Sequence, residues 1–489
     1  MRYAKRYAAV ALFVTLATAA PALAQTTAEK KEFSVSLRAA DLLSLREPGG
    51  AAAKAKDRFE LFRKIMFGEE KAGSTEIIAF EESRLFTYAA GILSPEGGTR
   101  RADADQAERL RWGRRILFVR PATVVVDDHV RRPVSGVDVA WVLRTSPDAG
   151  FSADRVRHVP RVEDKEKLLV HFLQPKGPEL AFSSRDEADY GELRATPKGT
   201  APEIHFLVAM RLLARGESEP KGGWGSDMSS RGARWVKLTG IGGDQAVILD
   251  LGPWDQQPGF IKVASSERSA SLETRPLASG ILPHTPEGLR LLEQWDSAYR
   301  GGKRPGWDTG RPSSELVQAV ESGKIKPCRT LELGCGLGTN AIYLAGRKFD
   351  ASALDIAPSA LSGAMERAKK AGVSVTWVLA DVLAPPKIGP FDFIYDRGCY
   401  HGVRRASAAG YVETLRKLTR PGSLVLIEAG NANEARQYGP PRVKEEELRA
   451  DFSPDFDFVE LREAHFDTSD PKAKGALSWF ILLRRKGKP

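Results

Sequence analysis

The chain has 489 residues, 42% of them hydrophobic and 28% charged. That length exceeds one ordinary domain, and the composition excludes a collagen, a largely disordered chain and a multi-span membrane protein. Three cysteines are too few for a disulfide framework. The formal net charge of +10 comes without a basic run interleaved with aromatics, so nucleic acid is not an expected partner.

Arg2, Lys5 and Arg6 form a short basic region, residues 8–20 are apolar, and Ala22-Leu23-Ala24 is a small-residue site. This three-part pattern predicts a secretory signal peptide over residues 1–24, cleaved after Ala24. The apolar run is shorter than the ~20 residues a spanning helix needs. No cysteine follows the cleavage site, so no stable membrane anchor is expected. The expected location is periplasmic or extracellular, and cytoplasmic if the signal is not used.

Residues 52–66 carry Phe59, Leu61, Phe62 and Ile65 at helical spacing. Short β-rich runs separated by Gly, Pro and Asp follow, such as Thr75–Phe80, Arg115–Val119, Thr123–Val126, Val137–Leu143, Lys167–Phe172 and Ala246–Leu251. Glu203–Leu213 reads as a strand, although its apolar run also suits a helix. So many strands with so few helices predict an antiparallel β-sandwich over residues 25–284. Asp127-Asp128 reads as a turn closing a strand, with a metal pair as the alternative. His129, His158, His171 and His205 show no metal-ligand spacing and read as core or surface histidines. Trp224 and Trp254 are expected in Gly-rich loops, suited to anchoring the loop or to stacking on a sugar.

From about Thr285 onward, apolar strands alternate with helices, which predicts an α/β Rossmann-like unit over residues 285–489. Its strands are Thr330–Gly334, Ala351–Ala357, Val373–Asp381, Phe391–Asp396 and Ser423–Ala429. Asp457–Phe466 and Leu477–Arg485 have no helix between them and predict a closing antiparallel hairpin on a mostly parallel, seven-stranded sheet. The boundary between the units is expected near Ser279–Pro286, open to proteolysis.

The sharpest motif is Glu332-Leu333-Gly334-Cys335-Gly336-Leu337-Gly338. Glycines allow a tight turn and the close approach of a ligand. Glu332 precedes the first glycine, where a carboxylate can hold an ammonium group. Asp355 ends the next strand, where it can accept both ribose hydroxyls. Asp381 ends the third, placed for an adenine amino group. Such a set of carboxylates suits a cationic nucleoside better than a pyrophosphate.

Ile77–Gly91, Arg111–Val130 and Trp141–Pro147 resemble the C-terminal β-sandwich region of heparinase II/III-like proteins. In those lyases an α/α toroid precedes the sandwich and carries most catalytic residues; the stretch before Ile77 is too short for one. The resemblance implies a polysaccharide as a possible partner of this half. Residues 291–485 are similar to class I S-adenosylmethionine-dependent methyltransferases, most of all the thiopurine/thiol and tellurite-resistance-like group. The motifs are GWDTGRPSSEL (Gly306–Leu316), LELGCGLGTNAIYLA (Leu331–Ala345), LDIAPSAL (Leu354–Leu361), ADVL (Ala380–Leu383), YDRGCYHGV (Tyr395–Val403) and GPPRVKEEEL (Gly439–Leu448).

This second resemblance implies S-adenosyl-L-methionine as cofactor. Gly334, Gly336 and Gly338 would cradle its methionine part and ribose, Asp355 would meet the ribose, Asp381 and Val382 would lie near the adenine, and Glu332, Ile356 and Asp396 would complete the cofactor site. Trp307 and Asp308 would form a lid, and Asp396 to His401 would line the mouth where acceptor meets sulfonium. The implied reaction is methyl transfer to a small nucleophilic S, O or Se acceptor. His401 is a candidate base or a hydrogen-bonded, shape-giving residue. Asp396, with Arg397, either orients substrate or forms a structural ion pair. Cys335 and Cys399 are candidate thiols or small buried residues. The alternatives are an exported carbohydrate-binding β-sandwich carrying an inactive methyltransferase-like domain, and a residual polysaccharide lyase. A secretory signal conflicts with the cytosolic origin of S-adenosylmethionine, and the sequence leaves that conflict open.

Overall fold

The computed structural model describes residues 304–487 without a break and, before them, the elements of residues 31–302 with some of the turns that join them. The signal segment 1–24 and Trp254 lie outside the described residues, as does the side chain of Trp224.

Two sheets of the N-terminal half face each other. One runs in the order Lys31–Arg38, Val137–Thr145, Gly191–Pro197, Leu180–Asp186. The other is eight-stranded: Ser74–Glu82, Phe86–Ser94, Arg111–Val119, Thr123–Arg131, Glu203–Leu213, Glu166–Gln174, Arg157–Val162, Phe151–Asp154. Trp141 is fully buried between them and, with Val139 and Leu143, shares a core with Val124, Val126, Phe206 and Val208. The helix Ala55–Phe67 closes this core with Phe62, Ile65 and Met66. A five-stranded antiparallel meander, Trp224–Met228 to Glu273–Pro276, covers the outer face of the eight-stranded sheet through Leu249, Leu251 and Ile261.

Glu203–Leu213 is a strand, and both its faces are covered. Ile204, Phe206, Val208 and Met210 enter one core while Leu207 and Ala209 enter the other. Two-sided burial removes the polar alternation that marks a half-exposed strand, which is why its sequence also suited a helix.

Two expectations are corrected. The first sheet is mixed, because Lys31–Arg38 pairs in parallel with Val137–Thr145. Asp127 and Asp128 do not form a turn but sit inside the strand Thr123–Arg131, opposite Arg115 and Arg114. Asp128 is fully buried and accepts from Arg114 Nε at 2.6 Å, Arg114 Nη2 at 2.9 Å and Trp112 Nε1 at 2.9 Å. A charge this deep persists only with such partners, and the partner lies on the neighbouring strand rather than nearby in sequence.

The described part of the expected boundary, residues 279–283, is held on both sides. Phe80 N–H donates to Gly280 O at 3.2 Å, and Leu282 N–H to Phe80 O at 3.1 Å. On its other side the same segment reaches the second unit, where Ser279 N–H donates to Leu379 O at 2.9 Å. Leu277, Ala278 and Leu282 are buried. The buried pair Glu81–Arg275 sits at the root of this strap, and Glu81 also accepts from Ala278 N–H at 3.2 Å.

In the C-terminal unit the helices are α1 (Pro286–Ser297), α2 (Ser314–Glu321), α3 (Thr339–Gly346), α4 (Pro358–Ala371), α5 (Cys399–Leu418) and α6 (Glu445–Phe452). The strands are β1 (Arg329–Leu333), β2 (Asp350–Asp355), β3 (Thr376–Leu379), β4 (Phe391–Arg397), β5 (Thr419–Asn431), β6 (Phe456–His465) and β7 (Leu477–Arg485). The sheet order is β3-β2-β1-β4-β5-β7-β6, with the short pair Arg442–Val443 beside β5. β7 is antiparallel to both neighbours and the other pairings on this path are parallel. This is the α/β sheet with a closing hairpin that the sequence predicts. The strand order reverses at β1, so a crevice opens beyond the carboxyl ends of β1, β2 and β4.

Candidate active site

The glycine turn follows β1. Gly334, Gly336 and Gly338 have φ of 62°, 52° and 72°, a region L side chains rarely adopt. A Cβ at Gly334 would lie 2.6 Å from Cys399 Cβ, one at Gly336 2.9 Å from the Tyr299 hydroxyl, and one at Gly338 2.5 Å from the Trp377 ring. The turn is therefore fixed by conformation and by the three side chains packed against it.

Two carboxylates hold the turn. Asp355 Oδ2 accepts from Gly336 N–H at 2.7 Å and Oδ1 from Ala357 N–H at 2.8 Å. An ionised carboxylate offers about four lone-pair sites, so each oxygen keeps one for a hydroxyl. Glu332 Oε1 accepts from Asn340 Nδ2 at 2.9 Å and Oε2 from Ala341 N–H at 2.8 Å. These contacts make Glu332 the clasp between β1 and the first turn of α3, where the helix dipole favours negative charge.

Asp381 accepts from Leu383 N–H through Oδ1 at 2.9 Å, and Val382 beside it is buried. Ile356 is partly buried, on the α/β side of the second core. Trp307 is half exposed and donates from Nε1 to the Tyr299 hydroxyl at 3.2 Å. Its ring meets Trp295 and Tyr299 edge-on. Asp308 accepts from Arg367 Nη1 at 2.8 Å and the Thr339 hydroxyl at 3.2 Å. Together these residues tie the 304–310 stretch over the start of α3.

At the mouth, the structure assigns several groups to holding the site. Asp396 is fully buried; Oδ1 accepts from Cys399 N–H at 2.9 Å, and Oδ2 from Tyr400 N–H at 2.9 Å and the Tyr411 hydroxyl at 2.6 Å. It anchors the start of α5 and does not pair with Arg397. Arg397 instead donates from Nη1 to Trp307 O at 3.1 Å, lies over Phe466, and stands 3.9 Å from Glu428. Glu428 accepts from the Ser313 and Tyr395 hydroxyls, each at 2.6 Å.

His401 is nearly buried, and its Nδ1 accepts from Gly430 N–H at 2.9 Å. That bond places the ring proton on Nε2. Burial, with Arg397 and Arg405 nearby, pulls its pKa down to about 4. The ring is therefore neutral, with its hydrogen on Nε2 and its Nδ1 occupied. Burial holds both the Cys335 and Cys399 thiols well above their ordinary pKa.

Burial also raises the carboxyl groups, Glu332 to about 8 and Asp396 to about 7, with Asp355 and Asp381 shifted the same way. Asp355 and Asp396 add their repulsion at Glu332. Acidic groups crowded at the ends of four neighbouring strands are relieved by a bound cation. The glycine turn, the spare acceptor sites on Asp355 and a cluster of acids that a bound cation would help to ionise fit the sulfonium nucleoside S-adenosyl-L-methionine.

The motifs pointed at the glycine turn and the acids but missed Tyr299, Arg367 and Glu428. Ser313 and Tyr395 stand within quoted motifs, yet nothing local marks them as partners of one carboxylate. Tyr299 lies just past α1 and reaches the turn only through the fold.

Residues 291–480 match the thiopurine S-methyltransferase (TPMT) family. A 2-heptyl-1-hydroxyquinolin-4(1H)-one methyltransferase of Mycobacteroides abscessus is 32% identical over 169 residues, covering 32% of this chain and 74% of that protein. A probable S-adenosyl-L-methionine-dependent methyltransferase, TehB of Haemophilus influenzae, is 26% identical over 148 residues; the match spans 29% of this chain and 51% of the relative. A solved structure from work on the conversion of a disulfide bond into a thioacetal group during echinomycin biosynthesis is 24% identical, with a TM-score of 0.36, covering 40% of this chain and 92% of that one. Through residues 291–480, the chain belongs to the thiopurine S-methyltransferase family and is a class I S-adenosyl-L-methionine-dependent methyltransferase.

Proposed function

We propose that the C-terminal unit transfers the methyl group of S-adenosyl-L-methionine to a small acceptor whose S, O or Se atom is already nucleophilic near neutral pH. Bound S-adenosylmethionine supplies a methyl carbon activated by its sulfonium. The observation that carries the reading is His401: its Nδ1 is engaged by Gly430 N–H, so the mouth histidine offers a proton donor and no ready base. Asp396 is committed to α5 and Tyr411, and both nearby thiols are held protonated. An acceptor that ionises on its own, such as a thiol, an acidic hydroxyl or a selenol, needs only positioning and exclusion of water. The hydroxyquinolone named for the Mycobacteroides relative and the thiol named for a probable Arabidopsis thaliana methyltransferase, 25% identical over 153 residues, support this acceptor class.

In this reading Gly334, Gly336, Gly338, Asp355 and Ile356 hold the methionine and ribose parts, and Asp381 and Val382 the adenine. Glu332 and Asp396 position the turn and α5, while Trp307 and Asp308 form the lid that Arg397 latches. The N-terminal half is read as a heparinase II/III-like β-sandwich over residues 25–284, supported by two sheets that share one core, with a polysaccharide as its candidate ligand. Residues 1–24 are read as an export signal.

The test is methyl transfer by the full chain to a panel of small thiols, hydroxylated heteroaromatics and selenols. Transfer to at least one class, with a rate rising as the acceptor ionises, is expected. Tight S-adenosylhomocysteine binding without transfer to any class would favour an exported binding protein with an inactive methyltransferase-like unit.

A further inference from the structure

The strands Thr123–Arg131 and Glu203–Leu213 pair antiparallel, and their register sets His129 directly opposite His205. Directly opposed side chains on one face have Cβ atoms about 4.5–5.5 Å apart. The two imidazoles stack, with centroids 4.1 Å apart and planes 9° from parallel. Glu203 is two residues before His205, so it projects from the same face. Its Oε2 lies 3.7 Å from His129 Nε2, while its Oε1 lies 3.8 Å from Arg131 Nε. One donor atom from each of His129, Glu203 and His205 falls within 4.8 Å of the others. His205 Nδ1 is buried without a hydrogen-bond partner among the described residues.

We propose that His129, Glu203 and His205 bind a divalent transition-metal ion, zinc by the chemistry of the donors. Two neutral imidazoles and one carboxylate are a borderline nitrogen–oxygen set that suits zinc better than calcium or magnesium. Metal–nitrogen bonds of about 2.0–2.1 Å bring tetrahedral donors to about 3.3 Å apart. To bind one ion the two rings leave their parallel stack by side-chain rotation so that their in-plane lone pairs converge, and the donors draw together by about an ångström. Arg131 keeps the outer carboxylate oxygen, leaving the inner one for the ion. Glu203 is half exposed, so water completes the fourth position. The ion would clip two central strands of the eight-stranded sheet at their open end, far in sequence from the methyltransferase motifs.

The experiment uses the untagged full chain, stripped with a chelator and titrated with Co²⁺ and then Zn²⁺. One equivalent of Co²⁺ is expected to give visible ligand-field absorption that Zn²⁺ bleaches, and Zn²⁺ is expected to raise the thermal midpoint. His129→Ala and His205→Ala should abolish both effects while S-adenosylhomocysteine binding persists. Glu203→Gln should bind at least tenfold more weakly; its exposed position keeps it informative if the histidine variants fail to fold. A wild-type chain that takes up no stoichiometric metal, or binding unchanged in the variants, overturns the site and leaves a stacked histidine pair.

Discussion

Replacing Asp355 by alanine removes one side chain that serves two ends of the site. In the free protein it satisfies Gly336 N–H at 2.7 Å and Ala357 N–H at 2.8 Å, and it is almost fully buried. A buried N–H left without a partner costs ~1–3 kcal/mol, so two such groups destabilise the fold by ~2–6 kcal/mol. In the bound protein the proposed ribose contacts are two charge-assisted hydrogen bonds, ~1.5–3 kcal/mol each. Their loss amounts to ~3–6 kcal/mol, or about 10²–10⁴-fold in Kd. Calorimetric titration of the full chain with S-adenosylhomocysteine, beside a thermal melt, reads both terms. A folded Asp355→Ala protein with wild-type affinity would refute the assignment of the carboxylate to the ribose.

Gly338→Ala forces an L residue to φ 72° against the Trp377 ring; a stability loss of ~1–3 kcal/mol, read by denaturant unfolding, and loss of cofactor binding are expected. Glu332 and Asp396 have folded pKa values, about 8 and about 7, raised by burial above their unfolded ones. The folded chain thus holds more protons than the unfolded chain between pH 6.5 and 8, so stability falls as pH rises through that window. His401 titrates below it. Melting the ligand-free protein across the window should show the fall, and Glu332→Gln should flatten it. Glu81→Gln strips Arg275 of its buried counter-charge, which costs ~3–5 kcal/mol; the variant should melt earlier and admit protease at residues 277–282, where the wild type resists.

The α/β unit was legible because its signals are local. Each parallel strand is a continuous apolar run, and the glycine turn is one uninterrupted motif whose backbone angles only glycine accepts readily. The mostly parallel sheet and its closing hairpin follow from that pattern, whereas the order of the strands comes only from the fold. What the sequence hid is pairing at a distance. Asp128 reads as a turn residue until Arg114 is set opposite it. His129 and His205 look scattered until two strands are placed in register. Asp396 lies in a mouth motif, yet its carboxylate faces inward to Tyr411 and the start of α5. A motif gives an approximate location, whereas the direction of a side chain depends on its neighbours in the fold.

The strap at residues 277–282 has a consequence for any attempt to work with the methyltransferase alone. β3 is the outermost strand of its sheet, and Ala278 occupies a rung beside Leu379. Gly280 packs against Ala380 and the Ala384 carbonyl, while Leu277, Ala278 and Leu282 share a core with Leu379 and Trp377. Cutting the chain at residue 285 would bare that edge and the apolar surface behind it, and an uncovered strand edge is a template for self-association. Trp377, which braces Gly338, would stand on the newly exposed strand. Residues 277–282 thus cap the sheet edge of the α/β unit, and the excised domain should aggregate or lose cofactor affinity where the whole chain does neither.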